Sequence, residues 1–514
     1  MLISDLLRYA AVRAPEATAL RFEDLSWTYR ELYERTCRLA NALRGIARPG
    51  DRVAILAENH PEYVLAYYGV PLAGMALTFL NYRLNAREIT GILADARPTV
   101  VITEAAYLPV IEEARATVDS VHTVVMIDAD APDTVRFGAL VDAAPAEQPE
   151  ADDDALAWLI YTSGTTGRPK GAMLSHRNVT AAVANTTSTW EHGGDDVVTL
   201  FPWPLCHIAG YSVLVSHTRA AELVVMRRYD PESFLELVER HRVTDITGAP
   251  TMLSMLLRTP GIETYDTSTI RRIGYGAAPM PVEVLRKAME RFPNARFQTG
   301  FGMTELSGNV MFHTADDHVA AVNGRTDLLA SVGKPMPLSA IRVVDAEDKD
   351  VPVDEVGELV IRGDQVTMGY WGMSDATAEA MRGGWFHSGD LAKLDADGYL
   401  YIVDRLKDMI LTGGENVYSR EVEDVLYAHP GVAEAAVIGE PDEVWGERVV
   451  AVIQPSAAGP PAEEELIALC TERLAGFKRP RRFILLDELP RNAAGKILKR
   501  ELRDTALRKA PPGA

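Results

Sequence analysis

Short apolar runs punctuate the first half of the chain: Val53-Ala-Ile-Leu56, Val100-Val-Ile102, Val124-Val-Met-Ile127 and Leu223-Val-Val-Met226. Each has the length and β-branched content of a strand buried on both faces. Helix-period stretches lie between them, for example residues 29–44 and 231–242. Strands alternating with helices predict an α/β fold with layered, largely buried sheets. No fixed-period repeat is visible.

Two boundaries stand out. Residues 143–154 are rich in Ala, Pro and acidic side chains and read as a surface connection before the apolar run 155–161. Near Asp404 a turn-rich β pattern ends, after Gly357-Glu-Leu-Val-Ile-Arg-Gly363 and Asp395-Ala-Asp-Gly398-Tyr-Leu-Tyr-Ile-Val403. A segment of about 110 residues follows, within the range of an independent domain. It holds a helix signal at 419–428 and a strand signal at Ala435-Ala-Val-Ile438. The expected organisation is a large α/β domain over 1–404 and a small α+β domain over 405–514.

Composition narrows the class. A chain of 514 residues needs two or more cores. Its 47% hydrophobic and 24% charged content is that of a globular protein. The net charge of -21 argues against a nucleic-acid binder. The end of the chain runs the other way: residues 471–510 carry 12 Lys/Arg against 5 Asp/Glu, which suggests a local anionic ligand. Cys37, Cys206 and Cys470 are far apart and form no metal or redox pair. The first residues lack a signal-peptide pattern, and no stretch reaches 18 uninterrupted apolar residues. The expected location is the cytoplasm.

The richest chemistry sits at Tyr161-Thr-Ser-Gly-Thr-Thr-Gly-Arg-Pro-Lys170-Gly171. Thr162, Ser163, Gly164, Thr165, Thr166 and Gly167 cannot continue the strand before them. Their hydroxyls and free N–H groups suit phosphate oxygens, and Lys170 adds a cation. The spacing is not that of a Walker A loop, which needs four residues between its glycines and Lys-Ser/Thr after the second. Here two residues separate Gly164 from Gly167, and Gly171 follows Lys170.

The eleven-residue string resembles the phosphate-binding motif of the adenylate-forming superfamily, which includes acyl- and aryl-CoA synthetases, luciferases and peptide-synthetase adenylation domains. Further motifs follow in family order along nearly the whole chain. Phe201-Pro-Trp-Pro-Leu-Cys-His207 resembles the segment whose histidine lies beside the acyl carboxylate. Gly274-Tyr-Gly276-Ala277-Ala278-Pro279 is similar to the adenine-side loop. Gln298-Thr-Gly-Phe301-Gly302-Met303-Thr304-Glu305 is similar to the motif whose aromatic stacks on adenine. Relatives usually carry tyrosine there, and Phe301 keeps the ring without the hydroxyl. Trp385-Phe-His-Ser-Gly-Asp390 and Asp404-Arg405-Leu-Lys407 resemble the ribose contacts and the hinge. Leu411-Thr-Gly413-Gly414 resembles the loop lining the pantetheine tunnel. Relatives usually have proline where Ser419 stands, so a looser loop is expected. Pro490-Arg-Asn-Ala-Ala-Gly495-Lys496 matches the motif with the adenylation lysine.

The resemblance implies a fold with a large N-terminal α/β domain of several subdomains and a small mobile C-terminal domain turning about Lys407. It implies an AMP-forming acid–CoA ligase using ATP, Mg²⁺ and coenzyme A. Lys496, His207, Thr304 and Glu305 would be catalytic, with Thr162 and Glu305 at the metal. Thr162–Gly167, Lys170, Gly276, Ala277, Ala278, Phe301, Gly302, Thr304, Asp390, Arg405 and Lys496 would hold ATP and AMP. Trp203, His207, Gly276, Gly302 and Met303 would line the acyl site, and Gly413, Gly414, Trp445, Phe477 and Arg479 the CoA site. Small residues at Gly276, Ala277 and Gly302 beside Trp203 and Phe301 favour a medium-sized hydrophobic acid over acetate. No carboxylate near Trp203 or Cys206 stands ready for an amino group. Two alternatives stay open: an adenylating enzyme that loads a carrier protein, and a ligase competent in only one half-reaction.

Overall fold

A computed structural model describes residues 1–142, 144, 152–162, 169–190, 196–278, 280, 282–442, 444–457, 459–491 and 497–508. The chain divides into two compact units, Met1–Ile341 with Ile361–Phe386, and Arg342–Val360 with His387–Ala514. The boundary expected at 404/405 falls inside the second unit.

The first unit is built on two sheets. One orders the strands Val135–Arg136, Thr123–Met126, Val100–Thr103, Arg52–Leu56, Ala76–Phe79, Leu156–Thr162 and Lys170–Ser175. It is parallel except for the last pair, which is antiparallel. The other runs Lys334–Pro335, Gly308–His313, Arg296–Met303, Arg272–Gly276, Asp245–Gly248, Val198–Phe201, Glu222–Val225, Thr18–Phe22 and Leu25–Thr28, parallel through its middle. The apolar runs read from the sequence are the strands Arg52–Leu56, Val100–Thr103, Thr123–Met126 and Glu222–Val225, central and buried as expected.

Local chemistry sets the helix ends. Thr28 accepts from the Glu31 N–H and Glu31 returns the bond, which starts Tyr29–Arg44; Tyr29, Leu32, Leu39, Ala40 and Leu43 then fall on its buried side. Asp230 caps Pro231–His241, and Arg242 ends it in the left-handed region at φ 50°. Tyr63, Tyr67, Phe79 and Trp158 form an aromatic cluster at the centre of the unit, with Tyr67 and Trp158 centroids 5.0 Å apart.

That cluster also shapes the segment carrying Trp203 and His207. The Tyr67 hydroxyl donates to the Leu205 carbonyl. A Cβ on Gly210 would lie 1.8 Å from that hydroxyl, so only glycine fits there. Asn59 does the rest. Its Nδ2 donates to the carbonyls of Trp203 (2.7 Å) and Met226 (2.8 Å), and its Oδ1 accepts from the Leu205 N–H at 2.7 Å.

The second unit holds a sheet of Ala340–Val344, Gly357–Arg362, Phe386–Leu394 and Leu400–Arg405, and one of Glu415–Val417, Ile410–Thr412, Gly446–Pro455, Val432–Asp442 and Arg482–Leu485. Alternation along Val432–Asp442 sends Ala435 and Val437 to a core with Val422, Leu426, Leu466 and Cys470, and Ala436 and Ile438 to one with Ile484, Leu489 and Leu502. No helix among the described residues is long and apolar enough to cross a membrane.

Asn59→Leu tests the clamp around Leu205. It leaves three backbone groups without partners, and unpaired buried groups cost about 1–3 kcal/mol each. The expected loss is roughly 2–4 kcal/mol, allowing for relaxation, read as a lower midpoint in urea unfolding. An unchanged midpoint would show that the clamp is dispensable.

Candidate active site

In open α/β sheets ligands bind beyond the carboxyl ends of the strands. Three candidate segments leave such ends in the first unit. His207 follows Val198–Phe201, Ala277 and Ala278 follow Arg272–Gly276, and Thr304–Glu305 follow Arg296–Met303. These strands share one sheet.

The phosphate loop joins two adjacent strands. Thr162 pairs with Lys170 across the base of the Leu156–Thr162/Lys170–Ser175 hairpin, and its hydroxyl donates to the Lys170 carbonyl at 3.4 Å. Ser163, Gly164, Thr165, Thr166 and Gly167 lie outside the described residues, as do Pro279 and Lys496. The Lys170 ammonium sits 4.8 Å from the Tyr370 ring centroid. The Tyr370 hydroxyl donates to Glu305 Oε1 at 3.1 Å. Burial, reinforced by Glu305, raises the Tyr370 phenol well above its usual range, so it stays a donor.

Backbone bonds hold this line in place. Met173 N–H donates to the Gly369 carbonyl and Met368 N–H to the Met173 carbonyl, both at 2.9 Å, while Trp371 N–H donates to the Gly171 carbonyl at 2.8 Å. Thr367 N–H reaches the Glu305 carbonyl at 2.8 Å. Sequence reasoning missed Tyr370. Its own stretch, Met-Gly-Tyr-Trp, carries no motif; only the fold puts it between Lys170 and Glu305.

Glu305 lies on a single 3₁₀ turn, Thr304–Leu306, closed by Ser307 at φ 55°. Gln365 anchors the turn by donating to the carbonyls of Leu306 (2.8 Å) and Asn309 (2.9 Å). Asn185, on the helix His176–Thr189, donates to Gln365 Oε1 at 2.7 Å. Phe301 lies opposite Met311 on the neighbouring strand, with a bulge just after it that brings Gly308 over Gly302. Ala277 adopts a left-handed φ of 67°, uncommon for a residue with a Cβ and found where a turn is tightly determined. The carboxylate of Glu305 and the hydroxyl of Thr162 are hard oxygen donors. They fit Mg²⁺, which takes one or two protein ligands and completes its shell from phosphates and water.

His207 follows the clamped segment. Burial, reinforced by Arg83, pushes its imidazole down to about 4, so it is neutral near pH 7. The Trp203 indole N–H donates to Thr247 Oγ1 at 3.0 Å.

The second unit pairs Asp390 with Arg405 across adjacent strands, Nε to Oδ1 at 2.8 Å. Asp390 is buried and Arg405 partly exposed. Lys407 is exposed at its surface side, yet its ammonium is pushed down by partial desolvation, against Asp408 and with the neighbouring cations Arg405, Arg503 and Lys499. Gly413 and Gly414, at φ 59° and 83°, make the two-residue turn between Ile410–Thr412 and Glu415–Val417. Trp445 lies on that turn: its carbonyl accepts from Gly413 N–H at 2.7 Å, and a Cβ on Gly413 would meet its ring at 2.8 Å. Phe477 is more than a third exposed, at 38%. Arg479 is committed to backbone, donating to the carbonyls of Leu474 (3.0 Å) and Thr471 (3.2 Å).

The looser loop expected from Ser419 is corrected. Ser419 N–H and Oγ both donate to Asp404 Oδ2, at 2.5 and 2.8 Å, and Lys499 Nζ donates to Ser419 Oγ at 2.5 Å. Proline has neither donor, so serine ties this helix start down.

Comparison with known proteins identifies the family. The AMP-binding enzyme family model matches residues 7–371, and the AMP-binding enzyme C-terminal domain matches 421–496. A feruloyl-CoA synthase of Amycolatopsis sp is 39% identical over 95% of this chain and 96% of its own. A fatty acid–[acyl-carrier-protein] ligase, ScoC, of Streptomyces coeruleorubidus is 35% identical over 96% and 95%. Among solved structures, o-succinylbenzoate CoA synthetase from Bacillus subtilis, in complex with its acyl-adenylate intermediate, superposes with a TM-score of 0.84 at 32% identity, covering 97% of this chain and 98% of that one. The chain belongs to the AMP-binding enzymes of the adenylate-forming superfamily.

Proposed function

We propose that this chain is an AMP-forming acid–CoA ligase that activates a hydrophobic carboxylic acid. The carboxylate oxygen attacks the α-phosphorus of ATP, the Pα–O bond to the β-phosphate breaks, and pyrophosphate leaves with acyl-AMP formed. The CoA thiol then loses its proton and attacks the acyl carbon, and AMP departs with the former carboxylate oxygen. The observation that carries this reading is the line Lys170–Tyr370–Glu305. It links Lys170, which follows the Thr/Ser/Gly loop in sequence, through Tyr370 to a metal-suited carboxylate, in a member of this family.

Each further role follows from chemistry. Thr304 lies next to Glu305 and contacts the α-phosphate, while Phe301 stacks on adenine. Asp390, held by Arg405, offers an oxygen to ribose hydroxyls. His207, neutral, lines the acyl and pyrophosphate end without adding a charge there. Lys496 neutralises the charge that develops as pyrophosphate leaves. Gly413, Gly414 and Trp445 flank the thiol arm, with the basic end of the chain on the CoA phosphates. The part beyond Lys407 turns between the two half-reactions. The three cysteines are buried and unbridged, which suits a reducing cytoplasm.

A carrier-protein thiol as acceptor is the second reading, favoured by the similarity to ScoC. The test is ATP–pyrophosphate exchange over linear, aryl and polycyclic acids, followed by CoA or a phosphopantetheinylated carrier protein. Exchange with CoA-dependent thioester supports the ligase. Thioester on the carrier alone moves the assignment to the second reading. Thioester from supplied acyl-AMP without exchange marks a half-active ligase, and neither activity sinks both.

Two substitutions sharpen the roles. Lys496→Ala should lower exchange by roughly 10²- to 10³-fold, the usual effect of removing one transition-state charge partner, while sparing thioester formation from preformed acyl-AMP. Equal loss in both assays would refute that role. Tyr370→Phe frees Glu305 from its orienting hydrogen bond. It should raise the Mg²⁺ concentration for half-maximal exchange by about tenfold, as for lost outer-shell partners; an unchanged Mg²⁺ titration would remove Tyr370 from the site.

A further inference from the structure

Three rows of residues cross the strands Asp245–Gly248, Arg272–Gly276 and Arg296–Met303. Asp245 lies beside Arg272, Thr247 beside Gly274, and Gly276 beside Gly300. Side chains alternate along a strand, so these rows share one face, each a two-residue repeat beyond the last. The opposite face carries Ile246, Ile273 and Phe297 and is filled by core. The last row is open at Gly276: a Cβ there would meet, among the described residues, only the Gly300 carbonyl oxygen, at 3.1 Å. Asn309 walls one side, since a Cβ on Gly300 would lie 2.4 Å from its Nδ2. Trp203 borders the other through its bond to Thr247. This row adjoins the strand ends that carry Ala277 and Thr304.

The middle row is closed by a side chain from elsewhere. Trp190 ends the helix His176–Thr189, its N–H donating to the Thr186 carbonyl at 2.9 Å. Its six-membered ring lies on Gly274, where a Cβ would come within 2.4 Å of it. The ring also rests against Phe312, centroids 5.3 Å apart. A side chain at 274 would have filled this row from the strand itself. Glycine leaves it to the indole, which stays partly exposed where a core aromatic would be enclosed. Below the indole the first row holds the buried ion pair of Arg272 with Asp245, so the face ends there. The same helix carries Asn185, which holds Gln365 and through it the turn at Glu305. The indole is therefore set by an element already fixed to the site.

We infer that Trp190 is the floor of the acyl site, the residue that sets how long an acid this chain activates. The acyl group enters over Gly276 from the strand ends, and its far end stops on the indole. The row that Trp190 fills is one repeat deep, about 6.6 Å, or the length of about five methylenes. Removing the ring would open that row and no more, because the Arg272–Asp245 pair closes the next. This assignment rests on the acid-activating function proposed above and adds to it a limit on length.

The test is ATP–pyrophosphate exchange with straight-chain and ω-phenyl acids of stepwise increasing length, on the wild-type chain, Trp190→Ala and Trp190→Phe. In the wild type kcat/KM should fall about tenfold or more per methylene beyond a length limit, where the chain end meets the indole. In Trp190→Ala the limit should move out by about four to five methylenes. Acids in that interval should gain at least about a hundredfold in kcat/KM over the wild type. Trp190→Phe keeps a ring against Phe312 for stability and should move the limit by about one or two methylenes. The limit is read from the ratio of long to short acids within each variant, so a loss of folded protein does not shift it. A wild type without a length limit, or a limit unmoved in Trp190→Phe, would overturn the assignment while leaving acid activation standing. Absence of exchange with these and all other acids would overturn the activity itself.

Discussion

The strand Lys170–Ser175 ends the order of its sheet, and an edge strand presents a row of unpaired N–H and C=O groups. In this chain the segment Thr367–Trp371 takes up that edge, through the bonds of Met173, Met368, Gly369, Gly171 and Trp371. The site depends on this constraint. It carries Tyr370 to Lys170 on one side and to Glu305 on the other, and it fixes the Glu305 carbonyl through Thr367. A hydrogen-bonded ladder has no slack of the size needed to separate these groups. The cation, the phenol and the carboxylate are thereby held in one line.

Around that line the unit places its remaining groups by burying backbone polar atoms and satisfying them with side-chain amides. Asn59 holds the segment before His207, and Gln365, itself held by Asn185, holds the turn after Glu305. Amides suit this task because each offers donors and an acceptor in fixed directions while adding no charge. His207 follows the same logic: burial keeps it uncharged.

Much of the fold was legible in the sequence. The apolar runs at 53–56, 100–102 and 223–226 became central strands, and the helix at 29–44 carried its cap in Thr28 and Glu31. Short uniform patterns with local start signals are readable because their cause is local. The motif residues were legible for a different reason, since their spacing along the chain is shared with a family. What escaped was whatever depends on distant pairing. Tyr370 has no local signature. Ser419 read as a gap in a proline pattern and proved to be a junction of Asp404 and Lys499. The division into units also departs from the reading at 404/405, because residues 342–360 pair with strands that come later in the chain.

The Ser419 junction bears on what a turn about Lys407 would require. Asp404 lies before Lys407 in the chain, yet it accepts from Ser419, and Ser419 in turn accepts from Lys499. Asp408, just after Lys407, pairs with Arg503 at 3.1 Å on the same helix, Lys499–Arg508. Both flanks of Lys407 are thus tied to one terminal helix, and Lys407 itself is partly desolvated among Arg405, Arg503 and Lys499. A turn that carried Asp404 away would have to break the Ser419 bonds and expose a buried carboxylate to water. Lys407 would lose the repulsion of its neighbours Arg405, Arg503 and Lys499. The broken bonds would oppose such a turn, and the relieved repulsion would favour it.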